Sequence, residues 1–186
     1  MRLLFAGRLI EDKGVTVLAS ALRVVASLQT VHLEVAIIGS GDLWQACLGL
    51  ERELAGSGTQ VQVLQPVSYG EPFFSLLRKF DAVLLPSLSD EQPRLIFDAF
   101  SQAVPILGSD TGGISEAVRD GINGKIYKRG DVGALVTNLV WASMNRLTLQ
   151  KMGMRAREDC GQFTHQAMHR RRHQILLKEL PTTGIV

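Results

Sequence analysis

The sequence predicts one doubly wound α/β domain built on a parallel sheet, and three observations predict it. Short apolar, β-branched-rich runs alternate with stretches of helical period nearly throughout. The runs are apolar at almost every position rather than at every second one, as in strands covered on both faces. No low-complexity linker and no internal repeat interrupts the chain, so residues 1–186 read as a single domain.

Taken in order, Arg2–Gly7 reads as a strand, and Gly14–Leu28 as a helix with Val15, Leu18, Leu22 and Val25 on one face. His32–Ile38 is a β-branched strand ending at Gly39, followed by a helix over Leu43–Leu54. Val61–Leu64 and Ala82–Leu85 are strands on either side of a helix at Pro72–Lys79. A helix near Pro93–Gln102, a strand at Pro105–Gly108, a short helix at Ile114–Val118 and a strand near Lys125–Tyr127 continue the alternation. The remainder is helical: Val132–Ser143, Leu147–Asp159 and a C-terminal helix over about 162–180, with His165–Glu179 its clearest stretch. Repeated strand–helix–strand units require right-handed crossovers, with helices on both faces of the sheet. This is a Rossmann-like architecture. Ligands in such sheets bind beyond the carboxyl ends of the strands, so the loops after Gly7, Gly39, Leu64, Leu85 and Gly108 are the ones to inspect.

The first of these loops runs Gly7-Arg8-Leu9-Ile10-Glu11-Asp12-Lys13-Gly14. A glycine that admits close backbone approach, two cations and a helix N-terminus make a site for a diphosphate, with Arg8 as a fork and Lys13 as a point charge. A surface turn with two solvated cations accounts for the same residues. The second loop, Gly39-Ser40-Gly41-Asp42-Leu43, fails the dinucleotide fingerprint, because Trp44 occupies the third glycine position and the loop follows the second strand. It remains a tight turn at which backbone can pass close to a ligand.

The segment Pro86–Ala99 carries two acids. Asp90 falls in a loop and Asp98 in the helix after it. Eight helical residues rise about 12 Å and complete little more than two turns, which would let both carboxylates address one extended ligand from the same side. Asp98 sits among Leu95, Ile96, Phe97, Ala99 and Phe100 and needs a partner if buried, either ribose hydroxyls or a backbone N–H. Thr111-Gly112-Gly113 offers successive N–H groups before a helix begins. Asp120-Gly121-Ile122-Asn123-Gly124 reads as a structural turn.

The composition excludes several classes. Hydrophobic residues make up 46% and charged residues 20%, which is ordinary for a packed domain. A net charge of +2 gives no support for nucleic-acid binding. Cys47 and Cys160 form neither a disulfide framework nor a zinc spacing, which fits a reducing cytoplasm. No apolar run reaches the roughly 18–20 residues of a membrane span, so membrane contact is expected to be peripheral at most. His165, His169 and His173 recur at helical spacing, but Arg170-Arg171-Arg172 among them opposes a metal ion and favours a solvated face.

With these residues in hand, the chain resembles the C-terminal domain of the retaining glycosyltransferases of family 4, which have the GT-B fold. The resemblance runs in order through Gly7-Arg8 with Lys13-Gly14, Gly39-x-Gly41, Pro86-Ser87, the paired acids, Pro105, Gly112-Gly113-x-x-Glu116 and Asp120–Gly124. It implies that Arg8 and Lys13 hold the donor diphosphate and act catalytically by stabilising the leaving group. It implies that Asp98 grips the ribose, that Asp90 addresses the donor sugar, and that backbone N–H groups of Glu91, Gln92 and Arg94, around Pro93, contact sugar or phosphate. Gly7, Gly39 and Gly41 complete the donor site, and backbone around Val67–Tyr69 would meet the base. The donor is a nucleotide-diphosphate sugar. No metal and no further cofactor is implied, and the chain contains no Asp-x-Asp.

The sequence departs from the family in three places. Both signature glutamates are aspartates, shorter in reach by about 1.5 Å. Ala103 stands where glycine usually closes the signature helix, at a cost of about 1 kcal/mol if its conformation is left-handed. Ser115 stands where proline is usual. The acceptor-binding N-terminal GT-B domain is expected to be missing from this chain, which would then not transfer sugar alone. A non-catalytic sugar-nucleotide-binding or scaffolding domain is the alternative, and a GT-B-like epimerase or phosphorylase a further one.

Overall fold

The computed structural model describes residues 1–90, 92–161 and 173–174. The C-terminal helix expected over about 162–180 therefore lies outside the described residues, as do Glu91, His165, His169 and Arg170–Arg172. The elements are β1 (Arg2–Ala6), α1 (Val15–Leu28), β2 (Leu33–Ile38), α2 (Trp44–Glu53), β3 (Thr59–Leu64), α3 (Glu71–Leu77) and β4 (Ala82–Leu85). They continue through α4 (Arg94–Ser101), β5 (Ile106–Ser109), α5 (Gly112–Ala117), β6 (Gly124–Tyr127), α6 (Val132–Met144) and α7 (Arg146–Cys160).

The six strands form one sheet in the order β3-β2-β1-β4-β5-β6, and every neighbouring pair is parallel. Side chains alternate between its faces with the strand period of two. Leu3, Phe5, Val35, Ile37 and Leu84 pack with Leu18, Leu22 and Val25 of α1, Leu50 of α2 and Leu139 of α6 on one face. Leu4, Ala36, Ile38, Val83 and Leu85 meet Leu77 of α3, Ile96 and Phe100 of α4 and Ile114 of α5 on the other. Helices cover both faces, so β4 and β5 are buried at every position, whereas the edge strand β3 carries exposed Gln60 and Gln62.

The chain leaves β1 in one direction across the sheet to β2 and later returns on its other side to β4. Strand order thus reverses between β1 and β4, the position at which sheets of this kind hold their ligands.

Boundaries differ from expectation where packing outranks pattern. β3 starts at Thr59, two residues before Val61, because Thr59 pairs with Leu33 and is fully buried. α5 starts at Gly112 rather than Ile114, with Thr111 extended at its N-cap. Gly112 and Gly113 thus belong to the first helical turn rather than to the loop before it. The N–H of Ser115 donates to the Thr111 carbonyl at 2.9 Å, a helical bond that proline at this position would forfeit.

α4 closes in a Schellman motif: Val104 N–H donates to the Ala99 carbonyl and Ala103 N–H to that of Phe100, each at 3.0 Å. Ala103 takes the left-handed conformation at φ 59°. Glycine there removes the Cβ strain, so Ala103→Gly is expected to stabilise the protein by about 1 kcal/mol and raise Tm by about 2–4 °C in a thermal melt.

Candidate functional site

Leu9 organises the loop after β1. Its side chain is fully buried, its N–H donates to the Ser40 carbonyl, and its own carbonyl accepts from Leu43 N–H, both at 2.9 Å. With Leu9 turned inward, Gly7 and Arg8 are exposed at the carboxyl end of β1. A 3-10 turn at Glu11–Lys13 then ends on Gly14, and Leu88 N–H donates to the Asp12 carbonyl at 2.8 Å, fixing this loop to the one after β4.

A cleft of about 380 Å³ opens beside it, within the range of small-molecule sites. Gly7, Arg8, Gly39 and Ser40 form one wall, Pro66, Val67, Tyr69 and Phe73 a second, and Arg94, Leu95 and Asp98 a third. Lys13 and Pro93 line an adjoining recess of about 50 Å³. Ala6, Gly7 and Leu95 are common to both cavities, so Arg8 and Lys13 border adjoining spaces. Burial pulls the Lys13 ammonium below its ordinary pKa; the nearby Arg8 charge adds to this and Asp12 opposes it. An anion seated between Arg8 and Lys13 would relieve their mutual repulsion and hold Lys13 protonated.

The glycines divide into two kinds. A Cβ added to Gly7 would point into open space, leaving its backbone accessible from the cleft. A Cβ on Gly39 would lie 1.8 Å from the Gly7 carbonyl oxygen, and one on Gly41 2.5 Å from that of Leu9. Gly39 and Gly41 therefore let two protein loops meet. Gly39 still borders the cleft, whereas Gly41 is absent from its lining.

The two acids do not converge as the eight-residue spacing suggests. The helix begins only at Arg94, with Pro93 extended at its N-cap, so the rise of eight helical residues does not describe the separation of the two acids. Asp98 lines the cleft, whereas Asp90 borders neither cavity. Asp90 Oδ1 accepts the Gly112 N–H at 2.9 Å, capping α5, and Oδ2 lies 3.5 Å from Arg129 Nη1. Gln92 is exposed on the connecting loop, and Glu91 is outside the described residues.

Asp98 is half-buried, and its carboxylate has a side-chain partner. The Tyr69 hydroxyl donates to its Oδ1 at 2.9 Å. Burial raises the Asp98 carboxyl above its ordinary pKa, against the lowering effects of the Tyr69 hydrogen bond and the Arg94 charge. The same hydrogen bond raises the Tyr69 phenol above its ordinary range. Arg94 sits one turn before Asp98 and places its guanidinium carbon 5.6 Å from the Tyr69 ring centre.

Sequence reasoning singled out Arg8, Lys13 and Asp98, but not the side chains of Pro66, Tyr69, Phe73 or Leu95. These come from an aperiodic loop and two helix faces, and the resemblance points there only to the backbone around Val67–Tyr69, as a contact for the base. The Asp120–Gly124 turn lies apart from the cleft. Asn123 is buried, accepts from Arg119 N–H at 2.7 Å and donates to Asp159 at 2.8 Å, tying the turn to α7. Among the described residues no helix is long and apolar enough to cross a membrane.

A D-inositol 3-phosphate glycosyltransferase of Nocardia farcinica is 33% identical over 129 residues, covering 67% of this chain and 28% of the relative. Among solved structures, a TarM variant from S. aureus, in complex with Fondaparinux, alpha-GlcNAc-glycerol and UDP, superposes with a TM-score of 0.81 at 15% identity, covering 94% of this chain and 35% of that one. The C-terminal domain of a glycosyl transferase group 1 family protein, LpcC from Francisella tularensis, superposes with a TM-score of 0.74 at 15% identity, covering 86% of this chain and 84% of that domain. The chain spans less than half the length of the curated relatives named here and of others like them. Residues 1–145 match the glycosyl transferases group 1 family, and the chain belongs to it.

Proposed function

We propose that this chain binds a nucleoside-diphosphate sugar and forms the donor-binding half of a retaining hexosyltransferase of glycosyltransferase family 4. One observation carries the reading: a cleft at the reversal of strand order has the open Gly7 backbone and Arg8 at one wall, Asp98 at another, and Lys13 in the adjoining recess. Diphosphate oxygens would lie against Gly7 between Arg8 and Lys13, and the ribose would reach Asp98. As the bond between the sugar and the diphosphate breaks, its electrons pass to the diphosphate oxygen, and the two cations stabilise that charge. The acceptor hydroxyl would come from a second domain facing the cleft. The UDP in the TarM complex supports a nucleotide donor.

Calorimetric titration of the purified chain with UDP, GDP and ADP tests the proposal. Saturable binding of at least one is expected, and binding of none of them contradicts it. The chain alone is expected to turn over no donor onto an acceptor; robust transfer by the 186 residues would overturn the half-site reading.

A second reading, binding without catalysis, is favoured by Asp90, whose carboxylate is committed to Gly112 and Arg129 instead of the cleft. It predicts nucleotide binding with no transfer even when the chain is joined to an acceptor domain.

A further inference from the structure

Tyr69 is 61% exposed and lines the cleft. Its ring is held on two sides. The Arg94 guanidinium lies 5.6 Å from its centre, and Phe74 meets it edge-on at 5.6 Å. The hydroxyl is thereby aimed at Asp98 Oδ1, 2.9 Å away. Donating its one proton to the carboxylate leaves the phenol oxygen with lone pairs only. A carboxylate has four lone-pair positions, and Tyr69 uses one of them. The result is two acceptor centres a hydrogen-bond length apart at one wall of the cleft. Vicinal hydroxyl oxygens on a sugar ring are spaced by a similar length, and both can donate.

We propose that Tyr69 and Asp98 act as one acceptor couple for the cis-diol of the donor's ribose, with the Tyr69 oxygen taking one hydroxyl and the Asp98 carboxylate the other. This rests on the donor-site reading above. In it Tyr69 is a binding residue in its own right, and Arg94 and Phe74 are the groups that position it. The Tyr69–Asp98 hydrogen bond persists when the ligand enters, so the couple is preorganised.

The test compares the wild-type chain with Tyr69→Phe by calorimetry, using UDP, GDP and ADP, and then the 2′,3′-dideoxy form of whichever binds. Phenylalanine keeps the ring and its contacts, and a thermal melt verifies the fold. The expected result is an affinity for the ribonucleotide about five- to tenfold weaker in Tyr69→Phe, with the affinity for the dideoxy form unchanged. Equal or tighter ribonucleotide binding by Tyr69→Phe would overturn the couple and leave the donor site standing. So would an equal loss for both nucleotides, which would assign Tyr69 a role through its ring. Failure of the wild-type chain to bind any of the three would instead remove the donor reading, and the couple with it.

Discussion

Replacing Gly14 with alanine is expected to destabilise the protein by about 3 kcal/mol or more, lowering Tm by about 6–12 °C. Two separate costs combine. Gly14 adopts φ 71°, where a Cβ is strained, and that Cβ would lie 1.7 Å from the Pro86 carbonyl oxygen. The obstacle is backbone at the end of β4, so no side-chain rotation relieves it. The loop would have to lift from Pro86, breaking the 2.8 Å bond from Leu88 N–H to the Asp12 carbonyl and displacing Lys13 from its recess. Gly7, seven residues earlier, provides the contrast. Its Cβ would meet nothing within 4 Å, so Gly7→Ala should leave the melt within about 0.5 kcal/mol of wild type while obstructing the cleft. Thermal or denaturant unfolding of the two variants side by side checks both statements, and equal stability of Gly14→Ala and Gly7→Ala would refute the packing account.

Removing the cations is expected to produce the largest loss of ligand affinity. Arg8 is exposed at the cleft, so Arg8→Ala costs little stability yet removes charge-assisted bonds to the diphosphate, each worth about 1.5–3 kcal/mol. Nucleoside-diphosphate affinity should fall about 10- to 100-fold in Arg8→Ala, and further when Lys13→Ala is added. Affinity for the unphosphorylated nucleoside should barely change. Calorimetry with a nucleoside and its diphosphate separates the two effects. An equal loss for both ligands would mean that Arg8 shapes the cleft without contacting phosphate.

Much of the fold was legible because it rests on local period. Leu18, Leu22 and Val25 form the buried face of α1 and Val35–Ile38 a strand covered on both sides, as their spacing requires. Arg8, Lys13 and Asp98 could be singled out because each follows a strand that ends at the ligand-binding edge of a parallel sheet. Other features depend on contacts between residues distant in sequence. Nothing near Gly14 or Gly39 reveals that they press against Pro86 and Gly7. The Asp90–Asp98 spacing treats the segment as helical, whereas the helix begins only at Arg94. Tyr69 was legible only as part of a loop, since its partner Asp98 lies 29 positions further on.

The most direct test of the central claim is a crystal structure of this chain with a bound nucleoside diphosphate. The account predicts phosphate oxygens against the Gly7 backbone between Arg8 and Lys13, and the ribose hydroxyls at Asp98. A nucleotide seated instead in the groove beneath β1–β3, among Arg2, Glu34 and Gln62, or beside Asp90 and Arg129, would contradict it.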